Sequence, residues 1–521
     1  MLFFMVSSNF NENNVISNYP VIVIGAGLGG LGAACQLALA GEKVLLLEKH
    51  NVPGGFATSF VRGRFEFEGA LHELSDIGTE EDKGGLYRYL ERLGVVPNKL
   101  KFKQIPEMFR SIYHDGYDVT LPFGIQEYTD TLIELFPHEK KGIEEFMEMC
   151  KAILAGIEYI ASKGGRISPQ EVLKEHPWVP RVSGLTLSEL LDKFFKDKKL
   201  MAVISQMWGY VGVPPDRANA YVYIALLVFF LRWGAAFPVG RSHSLTTAMV
   251  EAFEELGGEV RYNALVNRIL VENDHVSGVE LLNGDIYLSK AIVSNVNPIC
   301  TAMKMLPPEI VPDSYKKSIY APEIGVSGFS VYIGLNASYK DLGITSHEAF
   351  INTTYNANEA FETFRKLETP KYMVAACYNH IYEDISPPGT TQLVLTTLQM
   401  GKLWQGVSTD QYFSIKDEIA DGMISLFEKT ISSNIRDYIE VAEAATPLTY
   451  YRYSKNIEGA IYGTTQDVVN GPMLRLKSRG AIPGLYQVGA WTNLGGGFST
   501  TILGGRMAAG MYFKDKREGK W

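Results

Sequence analysis

The stretch from Val21 to Glu48, VIVIGAGLGGLGAACQLALAGEKVLLLE, constrains this 521-residue chain more than any other. A β-branched apolar run, Val21 to Ile24, is followed by Gly25, Gly27 and Gly30 in GxGxxG spacing and then by an Ala/Leu-rich helical stretch. The first glycine of such a loop permits a tight turn, and the second lets backbone approach a pyrophosphate with no Cβ between them. The third lets helix and strand pack closely. Phosphates then meet a helix N-terminus, where free N–H groups and the dipole favour negative charge. After Gly41 a second apolar strand, Val44 to Leu47, ends at Glu48, which is placed to accept from a ribose hydroxyl and favours a free 2′-OH over a 2′-phosphate. A GxGxxG alone is a weak signal. Strand, helix, second strand and terminal acid in register read as a dinucleotide-binding fold.

Composition narrows the class. With 46% hydrophobic and 21% charged residues the chain can bury ample core, and its length predicts about two to four domains. A net charge of -9 argues against nucleic acid as a partner, since phosphate backbones call for basic patches. Cys35, Cys150, Cys300 and Cys377 are scattered with no CxxC pair, which reads as reduced thiols in an intracellular, cytoplasmic setting rather than a disulfide frame or zinc site. There is no HExxH, no GxSxG in an elbow context and no cluster of His and Cys, so no metal is expected. The opening MLFFMVSSNFNENN has no basic region before its apolar start and too short an apolar run for export. It reads as a disordered or surface-anchoring leader.

The longest apolar run, Tyr221 to Leu231, is too short for a bilayer, which needs about 20 residues. Two readings stand: a buried core helix, or the wall of a lipid tunnel or monotopic membrane dip with Trp208, Tyr210, Phe229, Phe230 and Trp233 nearby. With no linker or repeat, the domains must be interleaved. Nucleotide-binding patterns fall at residues 18–114, 236–320 and 440–515, leaving 115–235 and 321–439 for a substrate domain. The first of these inserts is helical in pattern and is the candidate for membrane contact. In TLSELLDKFFKDKKL, Thr186 and Ser188 lie near an N-cap. The second alternates apolar and polar residues in VSGFSVYIGL and TTQLVLTTL, which predicts two strands paired in a sheet that floors the substrate cavity. The stretch from Phe253 to Asn295 reads as the end of a helix, two strands, an Asn-Gly turn, another strand and a final parallel strand.

A strand, glycine-rich loop and small-residue helix recur far downstream, in GLYQVGAWTNLGGGFSTTILGGRMAAGMY from Gly484 to Tyr512. With EKHNVPGGFATSF near the N-terminus, FPVG at Phe237 to Gly240, VSNVNP at Val293 to Pro298 and GAIYG at Gly459 to Gly463, the chain resembles, almost end to end, the FAD-dependent phytoene desaturase, carotenoid isomerase and retinol saturase family. LFPHEKKGIEEF, from Leu135, is most similar to the isomerase and saturase branch. The resemblance implies an α/β fold: a Rossmann-like FAD-binding domain of glutathione-reductase/amine-oxidase type, interleaved with an α+β substrate domain. It implies FAD held by Gly25, Gly27, Gly30, Glu48, Lys49, Gly54, Gly55 and Thr58, with Val266 passing the adenine and Gly489, Gly496, Gly497 and Thr500 closing the flavin site. Two positions depart from the pattern. Phe56 stands where relatives often carry a basic residue near the pyrophosphate, and Ala490 where many carry an acid that bonds the ribityl chain. One hydrogen bond contributes about 0.5–1.5 kcal/mol net, or up to about 3 with a charged group, which is at most about a hundredfold in affinity.

The activity that the resemblance implies is desaturation, saturation or isomerisation of double bonds in a polyene lipid such as a carotenoid or retinoid, with isomerisation or saturation ahead of desaturation. The cofactor carries the redox step, so few protein groups are demanded. His72 in GALHEL matches a loop beside the flavin ring and can donate or accept a proton, although a hydrogen-bonded structural histidine is an equal reading. Arg241, after FPVG, and Tyr462, in GAIYG, are the other catalytic candidates. At about 0.8 kcal/mol per CH₂, a twenty-carbon tail costs about 16 kcal/mol in water. Direct transfer from a bilayer avoids that cost, so peripheral membrane contact is expected. Two other readings remain: an amine-oxidase or protoporphyrinogen-oxidase-like flavoenzyme, and a flavin-free prenyl-lipid carrier resembling Rab GDP-dissociation inhibitor.

Overall fold

The computed structural model describes residues 14–163, 167–472 and 474–521. The expected leader, but for Asn14, lies outside the described residues. The strands Val21–Ile24 and Val44–Leu47 form the middle of a five-stranded parallel sheet, ordered Glu259–Arg261, Val44–Leu47, Val21–Ile24, Ile292–Ser294 and Leu485–Gln487. Both faces are covered, which is why these strands read as unbroken apolar runs. Val21, Val23, Val44, Leu46 and Val293 pack into one core, and Ile22, Ile24, Leu45, Leu47 and Ile292 into another. Over the first face lie the helices Leu28–Leu39, Arg241–Glu255 and Phe498–Arg517. Over the second lies a four-stranded sheet of Val15–Asn18, Ile286–Leu288, His275–Leu281 and Val266–Glu272.

Glycine sets the distance between two of those helices. A Cβ on Gly32 would lie 2.1 Å from the carbonyl oxygen of Ile502, and one on Gly505 would lie 2.1 Å from that of Gly29. Leu28–Leu39 and Phe498–Arg517 therefore touch backbone to backbone, joining the two ends of the chain. The stretch from Phe253 to Asn295 holds one strand more than the sequence pattern suggested, because Asn273 (φ 50°) and Asp274 (φ 64°) make a two-residue turn between Val266–Glu272 and His275–Leu281. Positive φ at both central positions is the geometry of a type I′ hairpin.

The second large sheet has seven strands, ordered Ile439–Ala445, Ser327–Leu335, Thr391–Gln399, Tyr372–Cys377, Glu348–Asn352, Phe109–Tyr113 and Asp118–Leu121. The two strands expected to pair, Ser327–Leu335 and Thr391–Gln399, run antiparallel along their whole length. Alternation sorts its faces. Phe329, Val331, Ile333, Met373 and Leu395 pack on Trp404 and the helix Thr409–Thr430, whereas Ser330, Tyr372, Val374, Val394 and Thr396 face the cavity. Phe109–Tyr113 and Ile439–Ala445, which the sequence division placed with the nucleotide-binding segments, hydrogen-bond into this sheet instead. Strands this short carry no mark of the sheet they join. Their partners decide it.

Residues 115–235 are mainly helical. Thr186 and Glu189 form a reciprocal capping box on Leu187–Leu191, and Asn219 accepts from the Val222 N–H to start Ala220–Trp233. Tyr223, Ile224, Leu227 and Leu231 of that helix are buried in the insert's core, while Leu226 and Phe230 line the cavity. Among the described residues no helix is long and apolar enough to cross a membrane.

Candidate functional site

A cavity of about 620 Å³ runs from the glycine loop of the parallel sheet to the floor provided by the seven-stranded sheet, within the usual range of ligand sites. Its nucleotide end is built from Gly25, Gly27, Gly54 and Gly55. Gly25 has φ 92°, and Gly54 (φ 116°) would drive a Cβ to 2.0 Å from the Ala57 carbonyl. Gly27 is the N-cap of Leu28–Leu39 and offers no side chain to its first turn, so the helix's opening N–H groups are free to meet an anion. Glu48 is buried at the end of the second strand. Its carboxylate accepts from the Ala26 N–H at 2.7 Å and the His50 N–H at 2.9 Å, fastening the glycine loop, and it also lines the cavity. Lys49, Lys304 and Lys455 line the same end and supply cations that position 56 does not. Burial pulls the Lys49 amine below its ordinary range. A glycine cradle, an uncapped helix start, a buried acid and three lysines fit a dinucleotide such as FAD.

The middle of the cavity is closed by the C-terminal loop, with Gly489, Ala490, Trp491, Gly496, Gly497 and Thr500 on its wall. Asn295 wedges between the two glycine loops: Cβ atoms on Gly27 and Gly489 would lie 2.7 Å from its Nδ2 and Oδ1. Behind the C-terminal loop, the buried guanidinium of Arg475 donates to the carbonyls of Thr492, Thr464, Thr465 and Ala490 at 3.0, 3.2, 3.1 and 2.7 Å. Burial pushes it down to about 10, which leaves it charged at neutral pH. It ties the segment carrying Tyr462 to the segment carrying Ala490.

At the other end, Gly69 to Glu73 is an irregular loop whose backbone groups are satisfied from neighbouring elements. Tyr332 Oη donates to the Gly69 carbonyl at 2.6 Å and Tyr378 Oη to that of Leu71 at 2.8 Å. His347 Nε2 lies 2.9 Å from the His72 carbonyl. Buried Glu68 accepts from the N–H groups of Ala70 and Leu71 and from the N–H and hydroxyl of Ser242, the last two at 2.8 and 2.6 Å. Held this way, the loop sets His72 and Glu73 on the cavity wall beside Tyr210. His72 Nδ1 is 3.0 Å from Glu348 Oε1, to which Tyr210 Oη also donates. The remaining wall is apolar or aromatic, with Leu226, Phe230, Val374, Val394, Leu398 and Ile461.

Of the residues singled out in the sequence, Gly25, Gly27, Glu48, Lys49, Gly54, Gly55, Val266, Gly489, Gly496, Gly497, Thr500, His72 and Tyr462 all line this one cavity. Gly30 does not. A Cβ there would lie 1.9 Å from the Gly25 carbonyl, so it serves the helix–strand approach. Thr58 is also off the wall, at the start of the hairpin Ser59–Arg62 and Phe65–Glu68. Arg241, named as a catalytic candidate, is not on this wall either. It follows the strand Ala235–Pro238, and its guanidinium is buried, pairs with Glu66 at 3.2 Å and donates to the Ile385 carbonyl. Tyr210 was read in the sequence only as an aromatic neighbour of a lipid-tunnel wall, and Asn295 only as part of VSNVNP; both line the cavity. Glu348 and Arg475 were not singled out, although Glu348 left a signal: an acid opening a strand, Glu348–Asn352, that is otherwise apolar until its last residue.

Residues 23–93 match the model of an NAD(P)-binding Rossmann-like domain. Over almost its whole length the chain is similar to prolycopene isomerase 2, chloroplastic, of an Oncidium hybrid cultivar, with 27% identity over 96% of this chain and 85% of that protein. It is also similar to all-trans-retinol 13,14-reductase of Danio rerio, with 25% identity over 89% of this chain and 80% of that protein. Among solved structures, a putrescine oxidase double mutant from a redesign of cofactor binding superposes with a TM-score of 0.63 over 96% of this chain and all of that one, at 14% identity. That likeness concerns the fold, which is the Rossmann-type α/β fold of the amine oxidases. The resemblance read from the motifs, to carotenoid isomerases and retinol saturases, extends over 89–96% of the chain.

Proposed function

We propose that this protein is a FAD-dependent oxidoreductase that acts on carbon–carbon double bonds of a long apolar polyene, carotenoid- or retinoid-like. One observation carries the reading: the dinucleotide cradle and the apolar, aromatic chamber over the seven-stranded sheet are two ends of a single cavity. Similarity to a prolycopene isomerase and a retinol reductase supports the substrate class. Gly25, Gly27, Gly54, Gly55, Glu48 and Lys49 would hold the adenosine and pyrophosphate, and the Gly489 to Thr500 loop the flavin end. Bound there, FAD supplies two-electron exchange. The chain's own contribution is to orient the guest against that group and keep water out, through Leu226, Phe230, Val374, Val394 and Leu398 on one side and Tyr462 on the other. Isomerisation or saturation is favoured over desaturation.

The deciding experiment is the visible spectrum of purified protein, before and after added FAD and then anaerobic dithionite. Oxidised-flavin bands that bleach on reduction, followed by turnover or binding of a carotenoid or retinoid by the reduced form, are the expected result. A protein that neither carries nor takes up FAD refutes the redox reading. For so apolar a guest, delivery from a bilayer through the helical insert is part of the proposal. Full recovery in a detergent-free soluble fraction without binding to liposomes removes that part.

A further inference from the structure

The wall of the substrate half carries more acidic groups than an apolar guest needs. Glu73 lines the cavity, yet both of its carboxyl oxygens are buried without a hydrogen-bond donor, as is Oε2 of Glu348. Glu348 Oε1, by contrast, lies 3.0 Å from His72 Nδ1 and accepts from Tyr210 Oη. Two neighbouring carboxyl groups in one dry site do not both ionise. Glu73, which no donor meets, is the one that keeps its proton: its carboxyl is pushed well above the usual carboxylate range by burial, then by Glu348 and then by Glu107. Next along lies buried His347, whose two ring nitrogens face the carbonyls of Cys377 and His72 at 3.2 and 2.9 Å. A neutral imidazole can donate to only one of them. Nearer the surface, Glu107 accepts from the backbone N–H of His347 at 3.2 Å and lies 4.0 Å from His380. Glu107 and His380 side chains are 17% and 21% exposed.

We propose that Glu73 is an acid–base residue that exchanges a proton with the bound polyene, with Glu348, anchored by His72 and Tyr210, as the positioning residue behind it. The inference rests on the polyene reading above. In the step, the Glu73 O–H bond breaks and a C–H bond forms with the π pair of one double bond. The positive charge spreads along the remaining conjugated bonds, next to the carboxylates of Glu73 and Glu348. After rotation about the weakened bond, the same carbon returns a proton to Glu73 and the π pair is restored. No electron enters or leaves, so the step isomerises the guest without net redox change.

Infrared spectroscopy tests the proton-holding part without substrate. A protonated-carboxyl C=O stretch is expected at neutral pH in the wild type, shifted in D₂O and lost in Glu73→Gln. In Glu348→Gln the same band should vanish at lower pH than in the wild type, a change that a merely structural Glu348 would not produce. Absence of the band in the wild type overturns the proposal even where Glu73→Gln fails to fold. With the reduced holoenzyme and a cis-polyene in D₂O, the isomerised product should carry solvent deuterium, and Glu73→Gln should lose the labelling. Turnover with no label overturns the acid–base role. A band without binding or turnover of any polyene refutes the polyene reading on which the inference rests.

Discussion

The contact between the first helix of the parallel-sheet unit and the C-terminal helix can be isolated with two alanines. Gly505 and Gly510 both lie inside Phe498–Arg517. A Cβ at Gly505 would sit 2.1 Å from the Gly29 carbonyl and 2.7 Å from the Ala33 nitrogen, more than an ångström inside ordinary contact, whereas one at Gly510 would meet nothing within 4 Å. Each alanine gains the same helix-propensity increment, about 1 kcal/mol. The difference between Gly505→Ala and Gly510→Ala is therefore the clash alone. Overpacking a tight contact costs about 1–3 kcal/mol, and here the opposing atoms are backbone that no rotamer change can move aside. Gly510→Ala should raise resistance to urea slightly. Gly505→Ala should fall below it by that margin, a factor of roughly 5–150 in the unfolding constant. Because the Gly29 carbonyl belongs to the first turn of the helix facing the dinucleotide cradle, Gly505→Ala should also release FAD more readily. Denaturant titration by tryptophan fluorescence and flavin retention on a desalting column read the two effects. Equal stability of the two variants would refute the backbone contact on which the reasoning stands.

Arg475→Met removes the donor to four carbonyls of the loops that carry Tyr462 and Ala490; a loss of more than about 1–3 kcal/mol, with weakened FAD binding, is expected by thermal and flavin-fluorescence measurements, and wild-type behaviour would sink the pinning role. Glu73→Gln tests the sign of a linkage: a carboxyl raised above its unfolded value costs nothing below the unfolded range and progressively destabilises the fold as pH rises from there through the raised native value. The variant should thus gain on the wild type as pH rises above the ordinary carboxylate range, by at most about 1.4 kcal/mol per pH unit, and a constant gap in urea stability would contradict it. Ala490→Asp places an acid on the cavity wall and should tighten FAD, by at most about a hundredfold, the worth of one hydrogen bond to a charged group; unchanged affinity would show that position 490 does not face the ribityl chain.

The nucleotide end was legible in the sequence because its demands are local. A turn at Gly25, an uncapped helix start at Gly27 and an acid closing the next strand are consecutive features of one βαβ unit, and each requires a particular residue type at a particular spacing. The expected floor sheet was legible for a similar reason, since Ser327–Leu335 and Thr391–Gln399 are long enough to show their period. Phe109–Tyr113 and Ile439–Ala445 were not, because membership of a sheet is settled by a partner far away in the chain.

The same distinction explains why the place of Arg241 stayed open in the sequence and Glu348 was missed. A charged side chain directly after a recognisable FPVG can leave the strand end on either side, and the partner that holds it, Glu66, lies 175 residues upstream. Glu348 stands 276 residues from His72 and 138 from Tyr210, and only the fold brings the three together. Its acid nonetheless opens a strand that is buried throughout and is otherwise apolar until its last residue, beside the wholly buried strand Tyr372–Cys377. Burial of such a group is costly unless donors meet it, and here Tyr210 Oη and His72 Nδ1 meet one oxygen while the other faces none. Packing alone would have been served by an apolar side chain at that position. The cost is borne directly behind the wall of the apolar chamber, the position that the proposed acid–base role of Glu73 assigns to Glu348, on the seven-stranded sheet rather than on the glycine loop.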